Sequence, residues 1–482
     1  MPDIRPILLI VGSLLIWLGA FMSAPMLIDY AAGDDDWRAF AISALITIFI
    51  GGGLVFANRG APPSLSIKQG FLLTVASWVA LVTFAALPLY LGSLRLSPTD
   101  AFFEAMSGLT TTGATVIVGL DDAPRGILLW RALLQWLGGV GIIIMAIAVL
   151  PMLKIGGMQL FKLESSDNSE KILPRASQFA ASIAVLYTGL TLACSTAYWM
   201  AGLSGFDAIA HAMTTVATGG FSTRDASFAA FYGQGADMIA VVFMILGSLP
   251  FGLYLIALRG APQRLFLDSQ VIFFIAVALG LVAIVAAYLG VTQLHGGADA
   301  ARLAAFNVVS IMTGTGYAST DYNAWGPFAV SFFFIVMFVG GCAGSTSCGL
   351  KIFRLQVALA ALKAHALRMA YPHGIITARY NGKPITDEIF ASVLNFFLAY
   401  FAIFGLAAAI LSVLGLDPIT AFSAAGSAIA NVGPGLGDII GPAGAYADLP
   451  DSAKWILSLA MLLGRLELLT VLVLFLPSFW RD

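Results

Sequence analysis

Charge is what this sequence has least of. Asp, Glu, Lys and Arg make up 10% of its 482 residues, where a soluble chain carries about 25%. With 59% hydrophobic residues and a mean hydropathy of +0.92, most of its exterior must face lipid rather than water. A water-soluble globular protein is excluded. Cysteine is scarce as well: Cys194, Cys342 and Cys348 are the whole set, too few for a disulfide framework. The four histidines, His211, His295, His365 and His373, have no metal-ligand spacing, and His211 reads as a packing residue. There is no Gly-Lys-Ser/Thr phosphate loop and no acidic cluster for phosphoryl transfer, so nothing provides for ATP hydrolysis. Gly433-Pro-Gly-Leu-Gly437 looks superficially like a dinucleotide loop but follows no strand. No nucleophile–base pair is visible either. The expectation is a protein that is not an enzyme, binds no nucleotide itself and has no nucleic-acid partner.

Long apolar runs are what is abundant. Ten stretches approach the roughly 20 residues a membrane helix needs: 7–30, 38–57, 70–92, 127–150, 178–201, 236–258, 270–292, 327–341, 389–414 and 455–477. The first is longer than a signal-peptide core and reads as a retained helix. An even number of spans puts both termini on one side. Basic residues concentrate on that side, in the termini and in loops 58–69, 151–177, 259–269 and 351–388. That side is therefore expected to be cytoplasmic. The opposite face has an acidic excess, which fits a vestibule that gathers cations; orientation alone is the other account of the asymmetry.

Four of the outer loops share a pattern. Asp100-Ala-Phe-Phe-Glu-Ala-Met-Ser-Gly-Leu-Thr-Thr-Thr-Gly113 aligns without a gap on Asp207-Ala-Ile-Ala-His-Ala-Met-Thr-Thr-Val-Ala-Thr-Gly-Gly220. Ala305-Phe-Asn-Val-Val-Ser-Ile-Met-Thr-Gly-Thr-Gly316 places Phe306 on Phe103 and Ser310 on Ser107. Pro418-Ile-Thr-Ala-Phe-Ser-Ala-Ala-Gly-Ser-Ala-Ile-Ala-Asn-Val-Gly433 places Pro418 on Pro98 and Ser427 on Ser107. Each is a short helix-like segment ending in a Gly/Thr cluster between two spans, and a single such cluster could be a tight turn. Four in register make an internal repeat. A half-helix entering from outside aims its partly negative end into the membrane. The loop after it can turn backbone carbonyls toward a monovalent cation, which needs the backbone freedom of glycine. The pattern points to a single-file cation pore.

On these motifs, Thr110-Thr-Thr-Gly113-Ala-Thr, Ala217-Thr-Gly-Gly220-Phe, Thr313-Gly-Thr-Gly316-Tyr and Ala430-Asn-Val-Gly433-Pro-Gly, the chain resembles the Trk/Ktr/HKT superfamily of potassium transporters, most closely its TrkH/TrkG branch. The resemblance covers nearly the whole chain. It implies an all-α integral membrane protein, with two leading helices and four M1–pore helix–M2 repeats around one pseudo-fourfold pore. The divisions would be a leading pair at 1–62 and repeats at 63–160, 161–262, 263–375 and 376–482. The expected selectivity filter is Thr110, Thr111, Thr112 and Gly113; Thr218, Gly219 and Gly220; Gly314, Thr315 and Gly316; and Asn431, Val432 and Gly433. Potassium would be the only metal ion there, as cargo. In plant relatives a serine in the first repeat goes with sodium preference, so Gly113 implies potassium.

The eighth span runs into Gly340-Gly-Cys-Ala-Gly-Ser-Thr-Ser-Cys-Gly349, a composition too poor in helix formers to continue. By resemblance, Gly340, Gly341, Gly344, Ser345, Thr346, Ser347 and Gly349 form a gate loop below the filter; a kinked helix packed through small residues is the alternative. Arg465 is an intramembrane charge, which usually marks function, and the resemblance makes it a pore charge beneath the filter. Pairing with Glu467 is disfavoured, since residues two apart do not share a helix face. The family further implies a bacterial inner-membrane homodimer embedded in lipid, and a cytosolic TrkA-type nucleotide-binding partner docking on loops 151–177 and 351–388. The implied function is potassium uptake through a gated, channel-like filter. The alternatives are the ion-translocating subunit of a Kdp-type pump and a potassium/cation symporter.

Overall fold

The computed structural model describes residues 3–61, 65–148 and 176–481. Most of residues 151–177 lies outside the described residues, as do the 62/63 and 160/161 divisions. Helices dominate; the exception among named elements is a strand pair, Arg379–Tyr380 against Lys383–Pro384.

Seven helices among the described residues are long and apolar enough to cross a membrane: Arg5–Ala32, Trp37–Ala57, Ile67–Leu91, Arg125–Met145, Gln178–Met200, Ser269–Val291 and Asp387–Val413. Their partition runs opposite to that of a soluble protein. Leu279, Ile284, Leu398 and Leu406 face outward, while Thr111, Thr215, Thr313 and Asn431 are fully buried. Lipid tolerates the first group, and the buried polar groups need protein partners. The first two spans cross where Gly12 and Gly51 meet: a Cβ on either would lie 2.7 Å from the other's carbonyl oxygen. Small residues permit that close approach.

The ten apolar stretches are not ten straight spans. The sixth divides into Ala236–Gly247 and Phe251–Leu258, at 89° to each other. Pro250 at the break lacks an N–H and cannot continue the helix. The last divides into Asp451–Arg465 and Leu469–Phe475, at 107°, with Glu467 in left-handed backbone (φ 57°) at the corner. The eighth is helical only over Pro327–Val336. Its continuation, from Val339 to Leu350, is a closed loop with Gly340 N–H donating to Leu350 O and Leu350 N–H to Phe338 O.

Between the spans lie four short helices, Pro98–Leu109, Gly205–Val216, Gly297–Met312 and Pro418–Ala430. Ser97, Ser204 and Asp417 cap three of them, accepting from Asp100, Asp207 and Thr420 N–H. They are built mainly of Ala, Gly, Ser, Thr and Met and are buried along most of their length, so four of them can approach one axis.

Candidate functional site

All four short helices end in the same way. Thr111, Thr218, Gly314 and Asn431 N–H donate to Gly108, Thr215, Ile311 and Ala428 O. The next residues, Thr112, Gly219, Thr315 and Val432, donate to Ser107, Thr214, Ser310 and Ser427 O, at 2.8–3.0 Å. This paired pattern closes a helix when the residue after its cap is left-handed. Those residues are left-handed here: Thr111 at φ 53°, Thr218 at 50°, Gly314 at 74° and Asn431 at 52°. Two positions further on, Gly113, Gly220, Gly316 and Gly433 are left-handed again, at φ 87°, 79°, 80° and 105°. Left-handed residues at alternate positions turn successive carbonyls to the same side, where an extended strand would alternate them.

The glycines also show how the loops meet. A Cβ on Gly113 would come within 3.0 Å of Gly219 O, on Gly220 of Thr315 O, on Gly316 of Val432 O, and on Gly433 of Thr112 O. Each glycine thus abuts the carbonyl that precedes the glycine of the next repeat, and the fourth returns to the first. The four loops form a closed ring in sequence order. Gly113, Gly220 and Gly316 are partly accessible amid fully buried neighbours, as expected of residues lining an axial opening. All thirteen filter residues named from the sequence lie in this ring.

Behind the ring sit polar struts that the sequence motifs do not reveal. Glu104 takes hydrogen bonds from Val116 N–H (2.9 Å) and the Thr115 hydroxyl (2.9 Å), and forms a buried ion pair with Arg131 (2.7 Å). Arg131 reaches on to Ser222 O (2.8 Å) and lies over the Phe221 ring, tying the first loop to the second. Gln135 bridges Gly219 O and Phe221 N–H. In the repeat alignment Glu104 falls on His211 and Asn307, which brace their own loops through Ser222 and Ser319. His211 is thus a strut as well as a packing residue. A polar residue recurring at one register of an apolar helix was the available signal. In the fourth loop Gly433 O accepts from both Ser427 (2.8 Å) and Tyr446 (2.9 Å).

The glycine-rich loop lies directly below. The Ser347 hydroxyl donates to Thr313 O (2.6 Å), at the end of the third short helix. The Thr346 hydroxyl reaches Val216 O (3.0 Å) and Gly247 O (2.9 Å), and Thr218 Oγ1 is 3.3 Å from it. Cys348 Sγ lies 3.6 Å from Thr111 Oγ1. Backbone bonds from Cys342 and Thr346 N–H to Ser248 and Gly247 O, and from Phe251 N–H to Gly344 O, seat the loop on the sixth span's bend. The bend thus serves the loop, because a broken helix leaves backbone groups free to receive it. Gly340, Gly341, Gly344, Ser345, Thr346, Ser347 and Gly349 all belong to the closed loop, so a merely kinked helix is not what forms here.

Arg465 is buried under this loop. It donates to Thr346 O (3.2 Å), Cys348 Sγ (2.6 Å) and Gly138 O (2.9 Å), so it clamps the loop to the first repeat. Glu467 pairs instead with Arg354, whose guanidinium also lies over the Phe396 ring.

A sequence-family model described as TrkH, cation transport protein, matches residues 37–481. The chain belongs to the TrkH family. It is 46% identical to the Trk system potassium uptake protein TrkI of Halomonas elongata over 479 residues, covering 99% of this chain and 97% of that one. It is 38% identical to the TrkH of Vibrio parahaemolyticus, covering 99% of each, and 34% identical to the TrkG of Escherichia coli, covering 97% of each. The crystal structure of the potassium transporter TrkH from Vibrio parahaemolyticus superposes with a TM-score of 0.92, at 36% identity and full coverage of both chains. The TrkH fold is therefore that of this chain, and the pump-subunit alternative is not favoured.

Proposed function

We propose that this TrkH-family chain takes up potassium across the bacterial inner membrane through the ring of four loops. The closed ring of left-handed pairs carries this reading. It brings together backbone oxygens of the four loops, among them those of Thr112, Gly219, Thr315 and Val432 beside the ring glycines, which can replace the water around a dehydrated potassium ion. The short helices point their C-terminal ends at the same axis and favour a cation there. The acidic outer face gathers cations, and flow is inward, down the electrochemical gradient.

The loop Val339–Leu350 is read as the gate, and the hydrogen bonds that hold it beneath the ring support that reading. Opening must release Ser347 from Thr313, Thr346 from Val216 and Gly247, and Arg465 from Thr346 and Cys348. At about 0.5–1.5 kcal/mol each, these bonds favour closure by several kcal/mol, a range that differential binding of a partner can reverse. That partner is a TrkA-type cytosolic nucleotide-binding subunit docking on loops 151–177 and 351–388. The names of the relatives, which speak of a Trk system, support an assembly of this kind. The chain is further read as a homodimer with both termini cytoplasmic and four repeats divided as the sequence suggests.

The test is potassium-limited growth and uptake in a bacterial strain without its own potassium transporters, with a TrkA-type partner co-expressed. Wild type should rescue, and Gly113→Ser should fail or leak sodium. If neither form rescues, the uptake reading is wrong.

A further inference from the structure

Beneath the gate loop lies a small, partly open cavity of about 30 Å³, lined among others by Cys348, Lys351, Arg354, Tyr400, Arg465 and Glu467. Among the described residues its charges do not balance. Arg354 and Arg465 keep their guanidinium charge at any physiological pH, Lys351 adds an ammonium, and Glu467 is the one carboxylate among the lining residues. Glu467 is already paired with Arg354. Lys351 and Arg465 make their polar contacts to neutral groups: Lys351 donates to Ser347 O, and Arg465 to Thr346 O, Gly138 O and Cys348 Sγ. Uncompensated charge in a buried site is costly and calls for a counter-ion.

Two unused polar groups of the same lining supply the recognition. Arg465 Nε and the Tyr400 hydroxyl are buried without a hydrogen-bond partner among the described residues. Arg465 is 3% and Tyr400 2% exposed. An Nε–H can only donate, and a hydroxyl can donate. A water molecule could meet these hydrogen bonds but would leave the charge standing. A cation is repelled. The space holds two or three water-sized spheres, too little for a phosphate or a carboxylate metabolite.

We propose that this cavity binds one halide-sized monovalent anion, chloride in the cell, taken by Arg465 Nε–H and the Tyr400 hydroxyl in the field of Lys351 and Arg354. The ion links Lys351, at the foot of the gate loop, to Arg465 on the last span, and so stabilises the closed gate. A cation channel of this design carries an anion lock beneath its filter. The lock's consequence for flux rests on the gate reading above; the binding site does not.

The test therefore reads binding directly. Crystals of the full chain grown with bromide in place of chloride should show an anomalous bromine peak inside the cavity. In parallel, the melting temperature of the detergent-solubilised chain is followed against chloride at constant ionic strength, with gluconate as the balancing anion. Chloride should raise it saturably, because a ligand of the folded state stabilises that state. Lys351→Met should weaken the apparent chloride affinity by about tenfold or more, and Glu467→Gln should strengthen it, as expected for unit charges at contact range. A cavity holding only water, or melting curves whose chloride response is the same in all three proteins, overturns the proposal. A bromide peak in a chain that moves no potassium would leave the anion site standing and reject the uptake reading alone.

Discussion

Replacing Gly220 by alanine tests the ring most sharply. The new methyl group meets two separate obstacles. The backbone at φ 79° is left-handed, which costs a residue with a Cβ roughly 1–2 kcal/mol. The methyl would also sit within 3.0 Å of Thr315 O, a backbone atom that cannot swing aside as a side chain would. That carbonyl must retreat from the axis. If one hydrogen-bond-like contact to a charged group is lost, the ion loses about 1.5–3 kcal/mol, which is roughly a 10- to 150-fold loss in potassium affinity. Gly235→Ala separates the two obstacles. Gly235 is left-handed as well, at φ 75°, but a Cβ there meets nothing within 4 Å. It carries the strain without the collision. The assay is rubidium uptake over a range of potassium concentrations, with protein amounts matched by immunoblot. Gly235→Ala should keep its half-saturating concentration, and Gly220→Ala should raise it at least tenfold or lose uptake. Equal behaviour of the two variants, or a change of less than threefold in Gly220→Ala, would refute the closed-ring geometry.

Other substitutions probe the struts and the gate. Arg131→Met leaves Glu104 buried without its cation, which costs about 3–5 kcal/mol; it should lower the melting temperature and the yield of folded protein, and Arg131→Met with Glu104→Gln should recover part of both. Tyr446→Phe removes one of two donors to Gly433 O, a loss of about 1 kcal/mol; expression should be unchanged while the potassium/sodium uptake ratio falls severalfold. Arg465→Ala frees the glycine-rich loop from its clamp to Gly138, so if that loop gates the pore as proposed, potassium flux should rise in the absence of any cytosolic partner; unchanged or lower flux in liposomes would contradict the gate reading.

Much of this protein was legible before any tertiary structure. Scarcity of charge and ten apolar stretches decided the lipid environment, because a chain so poor in ionic groups has no soluble surface to offer. The four Gly/Thr clusters decided the repeat, because left-handed backbone restricts which residues can stand at Gly113, Gly220, Gly316 and Gly433. The Gly340–Gly349 run decided the break in the eighth span for a similar local reason. The rest depended on atoms brought together from far along the chain. The bend at Ser248–Pro250 looked like a continuous span, since its flanks are uniformly apolar; its use appears only when the glycine-rich loop is seated on it. Glu104 and Arg131, and Arg354 and Glu467, are buried ion pairs between residues 27 and 113 positions apart, and no local pattern names such partners. Arg465 shows the division within a single side chain. Local sequence was enough to establish that a charge lay inside the membrane and that Glu467, two residues on, would not face it. Which carbonyls and which sulfur it holds came from the fold, because hydrogen bonds are satisfied by whatever the packed chain delivers within about 3 Å.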